Sequence, residues 1–231
     1  MFDITPTEWT AILLSLRVAV IATLVATPFG IALAWLLARR DFWGKSALDA
    51  AVHLPLVLPP VVTGYLLLLT FGRRGLVGAW LADHLGIVFA FRWTGAALAC
   101  GVMSFPLLVR PIRLSIEAVD RRLEQAAATL GAAPWRVFAT VTLPLALPGI
   151  LAGMVLGFAK AIGEFGATIT FVSNIPGETQ VISSAIYSLI STPGGDAAAG
   201  RLVLISIAIA VAALIGAEWF ARRATRRLHG N

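Results

Sequence analysis

The sequence predicts an all-α integral membrane protein with about five transmembrane helices, in a single domain over residues 1–231. Two observations support this prediction. Of the 231 residues, 58% are hydrophobic and only 13% are charged, and the mean hydropathy is +0.87, unlike soluble domains. Apolar runs of about 20 residues, long enough to cross a bilayer, begin near Ala11, Ala51, Thr94, Leu145 and Leu202.

Positive charges flank these runs and predict their orientation. If alternate loops are cytoplasmic, twelve Lys and Arg residues lie inside: Arg39, Arg40, Lys45, Arg110, Arg113, Arg121, Arg122, Arg136, Arg222, Arg223, Arg226 and Arg227. Four lie outside: Arg73, Arg74, Arg92 and Arg201. The excess predicts an outer N-terminus and a cytoplasmic C-terminus. Since residues 1–10 contain no Lys or Arg, they do not predict a cleaved signal peptide. The flanking position of the charges also argues against a nucleic-acid partner.

Prolines interrupt two of the apolar runs. Pro55, Pro59 and Pro60 predict a broken second span, and Pro106 and Pro111 predict a similar break in the third. Irregular backbone at membrane depth persists only where protein or a water-filled cavity shields it. Each proline alone is compatible with a kink that improves packing, but together they favour a moving pathway that includes Pro59 and Pro60.

Charged residues within apolar runs mark a second candidate region. Lys160 and Glu164 are four residues apart, which predicts an ion pair on one helix face with either a structural or a gating role. Gly163 and Gly166 beside them favour close helix contact or a hinge in a narrow part of the pathway. Arg17, in the first run, is expected to extend toward the outer surface.

The second outer loop, residues 173–200, begins and ends with turn-forming residues. Between them, Ile182, Ala185, Ile186, Leu189 and Ile190 recur at helical spacing. This pattern predicts a short amphipathic helix on the outer face, with a sixth short membrane segment as the alternative.

The inner loop, residues 115–144, contains the most specific pattern. Leu123, Ala126, Ala127 and Leu130 lie on one helix face, Gly131 follows as a C-terminal cap, and Pro134 begins a second helix. Small side chains on that face allow a partner protein to approach closely. The alternative is an ordinary solvated loop helix.

This loop resembles the EAA loop of ABC importer permeases. The matching residues are Glu124, Gln125, Ala126, Ala127 and Gly131, then Val141 to Pro144, which include Leu143. The resemblance implies that the loop is a coupling helix bound by a cytoplasmic ATPase. Gln125 precedes the paired alanines and Val141 replaces the usual isoleucine, so the docking carboxylate is either Glu124 or absent.

Other segments are similar to molybdate permeases: His53–Leu67, Phe71–Gly75, Met103–Arg110, Gly163–Thr168, Asn174–Thr179 and Thr192–Gly195. This similarity implies a type I ABC importer fold and molybdate transport. Permeases for sulfate, thiosulfate or tungstate are the alternatives. The implied partners are a cytoplasmic ATPase dimer carrying ATP and Mg, a periplasmic or lipid-anchored oxyanion-binding protein, a second copy of this chain and membrane lipid. No cofactor or metal is expected on this chain.

Two other classes fit the residues less well. A membrane enzyme requires convergent acid, base or metal-binding groups. Here His53 and His229 are expected on the inner side and His84 on the outer side, and no single span contains paired carboxylates. An ion-coupled secondary transporter often contains internal repeats, and none is visible. The sequence also lacks a Walker-type phosphate loop, so ATP hydrolysis is expected on another chain.

Overall fold

The computed structural model describes residues 4–229, and this part of the chain is helical with no β-strand, as predicted. The side chains of Arg222, Arg223, Arg226 and Arg227, four of the charges predicted to be cytoplasmic, lie outside the description. The helices of the first half are α1 (Pro6–Arg39), α2 (Lys45–Val57), α3 (Pro60–Phe71), α4 (Leu76–Leu85) and α5 (Trp93–Ala118). The later helices are α6 (Arg121–Thr129), α7 (Pro134–Val137), α8 (Leu143–Leu145), α9 (Leu147–Ile162), α10 (Gly166–Val172), α11 (Ile182–Ile190) and α12 (Asp196–His229). A π-helical turn, Phe138–Thr142, joins α7 to α8.

The structure contains three long helices and two bent pairs, which agree with the five predicted spans if each bent pair counts as one span. In length and composition α1, α5 and the Asp196–Ala213 part of α12 can each cross a membrane alone. The pair α2 and α3 bends by 114° where Pro59 and Pro60 interrupt it, as the prolines predicted. Residues Pro134–Leu145 and α9 form the second pair, bent by 68°.

The third span differs from the prediction. Helix α5 continues without a break through Pro106 and Pro111, and Pro106 is buried. This helix packs between α1 and α9, with Leu108 and Ile112 fully buried in the shared core. Because neighbouring helices support the backbone on both sides, the loss of single hydrogen bonds at the prolines does not break the helix.

Small residues allow α5 to lie close to its neighbours. Ala96 and Ala99 of α5 and Ala19 of α1 are fully buried in one cluster. On the α9 side, a Cβ atom added to Gly153 would lie 2.5 Å from the Leu108 carbonyl oxygen. Such contacts hold membrane helices together by close packing rather than by the hydrophobic effect.

Charged pairs fix both ends of α1, which at 34 residues is about 51 Å long. At the N-terminal end, Thr5 and Glu8 form a capping box, and Glu8 also accepts a 2.8 Å hydrogen bond from Arg201 of α12. At the C-terminal end, Arg39 contacts Glu124 in the loop of residues 115–144.

The short amphipathic helix of the second outer loop is present as α11. Its nine residues are too few to cross a bilayer, so it is not a sixth span. Ile182 and Ala185 pack against Ala11 and Ile12 of α1 and Leu202 of α12. The apolar face of α11 therefore contacts other helices of the chain.

Candidate functional site

The interruption between α2 and α3 lies beside the interruption between α9 and α10. Helix α3 begins at Pro60, and α10 begins at Gly166. A Cβ atom added to Gly166 would lie 2.7 Å from the Pro60 Cβ, so glycine is needed for this approach. Farther along, a Cβ on Gly64 would lie 2.9 Å from the Ala167 Cα. The structure thus brings together Pro59, Pro60 and Gly166, which the sequence placed in one pathway. We call these three residues, with Gly163 and Glu164, the break cluster.

Gly163 has a different environment from Gly166. The nearest heavy atoms to a Cβ added at Gly163 are carbonyl oxygens of α9 at 3.9 Å, an ordinary contact distance. Close packing therefore does not explain this glycine, whereas it does explain Gly166.

Lys160 and Glu164 form the predicted ion pair, but not within one helix. Helix α9 ends at Ile162, which places Glu164 in the interruption before α10. Lys160 Nζ lies 2.7 Å from Glu164 Oε2. The other carboxylate oxygen accepts a 3.0 Å hydrogen bond from the Ala167 amide and so caps α10. The prediction of a shared helix face was wrong because Gly163 ends the helix.

Glu164 connects three helices. In addition to Lys160 of α9 and Ala167 of α10, its backbone oxygen accepts a 2.8 Å hydrogen bond from Ser183 of α11. The Glu164 side chain is 1% exposed, whereas the Lys160 side chain is 29% exposed. A buried carboxylate needs its cation more than a partly hydrated ammonium needs its anion. Glu164 thus holds α9, α10 and α11 together through contacts of its carboxylate and its backbone oxygen.

Helix α3 presents an uncovered apolar face beside the break cluster. Val61, Tyr65 and Leu69 recur every fourth residue, and each is more than half exposed. A continuous apolar stripe of this kind is typical of a surface that contacts lipid or another chain. It lies on the helix that carries Pro60 and Gly64.

The inner loop folds as the sequence predicted. Asp120 caps α6 by accepting a 2.9 Å hydrogen bond from the Arg122 amide. Gly131 has φ +85° and follows the end of α6, where the Ala132 amide donates to the Ala127 carbonyl. This is the left-handed glycine cap expected at a helix C-terminus. Pro134 begins α7, and Leu143 and Pro144 lie in α8.

Glu124 faces the protein. Its Oε1 accepts hydrogen bonds from Arg39 Nε at 3.2 Å, Arg39 Nη2 at 3.0 Å and Thr142 Oγ1 at 2.6 Å. Arg39 Nη2 also donates to the Val119 carbonyl at 3.0 Å. These contacts hold Oε1 of Glu124 against the ends of α1 and of the π-helical turn. Whether Glu124 also serves as a docking carboxylate stays a prediction.

The face of α6 that points away from the rest of the chain is uncovered. Gln125 and Ala126 are exposed, Leu123 is half-exposed, and Leu130 is 89% exposed. The predicted apolar stripe therefore has no partner within the described part of the chain and remains accessible to another protein.

Sequence reasoning missed the role of Arg39, which it counted only as a topology charge. Arg39 and Glu124 are 85 positions apart, so no local pattern connects them. Helix α4, between α3 and α5, was also missed. The left-handed Gly86 at its end, with φ +66°, was the signal that could have located its C-terminus.

Comparisons with known proteins identify the family of the chain. The model of the family "Binding-protein-dependent transport system inner membrane component" matches residues 26–228. The chain belongs to this family. It is thus a multi-pass component of an inner-membrane transport system, with the type I ABC permease fold.

Two relatives and one solved structure show which transport proteins the chain is similar to. The chain is 62% identical over 224 residues to the molybdenum transport system permease protein ModB of Escherichia coli K12, covering 97% of this chain and 98% of that protein. Identity to a probable sulfate transport system permease protein, cysT, of Chlorella vulgaris is 36% over 214 residues, or 92% and 80% of the two chains. A bacterial ABC transporter that imports the polysaccharide alginate contains a chain of similar fold. The TM-score is 0.74 at 20% identity, covering 95% of this chain and 80% of that one.

Proposed function

We propose that the chain is the permease subunit of an ATP-driven molybdate importer in the bacterial inner membrane. The observation that carries this proposal is the 62% identity, over nearly the whole chain, to a protein named as a molybdenum transport permease. The 36% identity to a protein named as a probable sulfate permease makes sulfate the weaker candidate.

The pathway would lie between two copies of the chain. One permease chain supplies one coupling loop, and a pair of ATPases needs two, which favours a twofold homodimer. The uncovered stripe Val61, Tyr65 and Leu69 supports an interface or pathway position for α3. In this arrangement the break cluster lies beside the pathway, where Lys160 and Glu164 would hold α9 and α10 in one geometry.

The ATPase would bind the exposed face of α6, around Gln125, Ala126, Ala127 and Leu130. Movement of α6 would be transmitted directly, because Glu124 joins α6 to Arg39 at the end of α1 and to Thr142 before α8. Coupling requires each partner to bind one permease conformation more tightly than the other. The outer partner would be a binding protein that delivers the oxyanion.

In this proposal the permease is not itself catalytic. ATP and Mg would be bound by the partner ATPase, and the chain would carry no cofactor or metal of its own. The N-terminus would lie outside and the C-terminus in the cytoplasm, in agreement with the charge distribution of the sequence.

Uptake of radiolabelled molybdate into vesicles tests the proposal. The vesicles contain the chain, its partner ATPase and its binding protein, with and without internal ATP. We expect ATP-dependent uptake that tungstate inhibits and excess sulfate does not. Inhibition by sulfate would move the substrate to the sulfate class, and uptake independent of ATP, but dependent on an ion gradient, would indicate a secondary transporter.

A further inference from the structure

A groove of about 680 Å³ lies on the side of the molecule between α1, α2 and α5. Two regular stripes form its walls: Ile21, Val25 and Phe29 on α1, and Ala97, Gly101 and Phe105 on α5. Each stripe repeats every fourth residue and so follows one helix face. Nearly all of the groove's lining is apolar, which makes the groove unsuitable for a hydrated oxyanion.

One end of the groove carries a positive charge. Arg17 lies four residues before Ile21 and extends the α1 stripe by one turn. Its guanidinium carbon lies 3.8 Å from the ring centroid of Trp93, and Trp93 lines the groove. A cation–π contact of this kind does not use up the N–H donors of the guanidinium, which can still bind an anion.

Arg17 has no anionic partner among residues 4–229 whose side chains are described. The ion pairs in this part of the chain involve other cations, and Arg17 is exposed. An arginine within an apolar membrane helix is costly unless an anion or water satisfies it. The stacked Trp93 supplies an attractive surface but no negative charge.

The dimensions fit one lipid chain. From Trp93 to Phe105 the α5 stripe extends about 18 Å, at 1.5 Å per residue. The hydrocarbon core of a bilayer is about 30 Å thick, so one leaflet provides about 15 Å. The groove therefore has roughly the depth of a single leaflet.

We propose that this groove is a binding site for one phospholipid molecule, with its phosphate against the Arg17 guanidinium and one acyl chain along the α1 and α5 stripes. Charge complementarity selects this occupant, because a neutral apolar ligand would fill the groove but leave Arg17 without an anion.

Native mass spectrometry of the full chain in mild detergent tests the site. The probes are phosphatidylglycerol and a diacylglycerol with the same acyl chains but no phosphate. Arg17→Gln removes the charge, and Gly101→Leu fills the groove. A Cβ at Gly101 has its nearest neighbour at 3.8 Å, so the backbone tolerates this substitution. The matched controls are Arg73→Gln, an exposed arginine elsewhere, and Gly200→Leu, where a Cβ has no neighbour within 4 Å.

We expect the wild-type chain to retain phosphatidylglycerol about tenfold more than diacylglycerol, as expected for one charge-assisted contact. Arg17→Gln should remove this preference, Gly101→Leu should reduce binding of both lipids, and the two controls should behave like the wild type. Phospholipid retention by Arg17→Gln equal to that of the wild type would overturn the proposal. Unchanged lipid binding by Gly101→Leu, together with fewer chains per particle, would instead assign the groove to a second copy of the chain.

Discussion

Glu124 illustrates how one side chain can position a helix whose opposite face is exposed. Its carboxylate accepts three hydrogen bonds from Arg39 and Thr142, so it sets the position of α6 relative to α1 and α8. The adjacent Gln125 is exposed. Two neighbouring residues of the motif thus divide the work, one orienting the helix and the other remaining available for contact.

Breaking the contact between Arg39 and Glu124 should destabilise the protein and uncouple ATP hydrolysis by the partner from uptake. Arg39→Ala and Glu124→Ala are each expected to lower the free energy of unfolding by about 1–3 kcal/mol, because each leaves a mostly buried polar partner unsatisfied. The double variant should cost less than the sum of the two, which a double-mutant cycle of thermal unfolding measures. Gln125→Ala is the control and should leave stability unchanged. Additive effects would show that the two residues act independently.

Lys160 and Glu164 should respond unequally to neutralisation. Lys160→Met leaves a carboxylate buried without its cation, with an expected cost of about 3 kcal/mol. Glu164→Gln keeps an oxygen acceptor for the Ala167 amide and leaves a partly hydrated ammonium, so we expect a smaller loss, about 1 kcal/mol. Denaturant unfolding of both variants gives the comparison, and equal losses would contradict it.

Exchanging the two charges should not restore function. A lysine at position 164 would present a donor to the Ala167 amide, where the structure requires an acceptor. We expect the Lys160→Glu, Glu164→Lys double variant to transport as poorly in the vesicle assay as the worse of its two single variants, Lys160→Glu and Glu164→Lys. Full activity would show that only the charge pair matters and that the cap on α10 does not.

At the scale of helices, contact between α3 and α10 depends on glycine. Gly64→Ala would place a Cβ 2.9 Å from the Ala167 Cα and 2.5 Å from its carbonyl oxygen, so the helices must separate. We expect loss of uptake and a lower unfolding temperature. Gly163→Ala is the matched control, because its Cβ has 3.9 Å of clearance and its φ of −89° suits alanine. Impaired uptake by Gly163→Ala with normal stability would assign that glycine to a hinge.

The end of α6 depends on a backbone conformation. Gly131 has φ +85°, and a Cβ there meets no atom within 4 Å, so the penalty of a substitution is conformational and not steric contact with a neighbour. We expect Gly131→Ala to lower stability by about 1 kcal/mol, Gly131→Asn by less and Gly131→Val by more. ATP hydrolysis without uptake should rise with the loss of stability, so that it is smallest for Gly131→Asn, larger for Gly131→Ala and largest for Gly131→Val. Equal coupling in all three variants would remove the link between this cap and the coupling helix.

Sequence patterns predicted those elements whose signals are local. The prolines at 59 and 60 located the interruption of the second span, and the spacing around Gly131 and Pro134 located the helices of the inner loop. The continuity of α5 through its prolines was not predictable, because it depends on packing against α1 and α9. The same holds for Arg39 and Glu124, which only the tertiary fold brings together.

For the molecule as a whole, orientation in the membrane is the property to measure. In the Cys100→Ser background, Thr7→Cys and Ala128→Cys each introduce one exposed thiol at opposite ends of the fold. Positive-inside charges predict that a membrane-impermeant maleimide labels Thr7→Cys from outside intact cells and labels Ala128→Cys only after lysis. The wild-type chain should remain unlabelled because Cys100 is buried. The reverse pattern would invert the proposed topology.

The two ion pairs at the ends of α1 also restrict how this sequence can change over generations. Arg39 must match Glu124, and Glu8 must match Arg201, although the partners are separated by 85 and 193 positions. A mutation at one member leaves a poorly hydrated charge until the other changes as well. These positions should therefore drift in linked pairs, and homologues that have lost one member of a pair should have replaced the second.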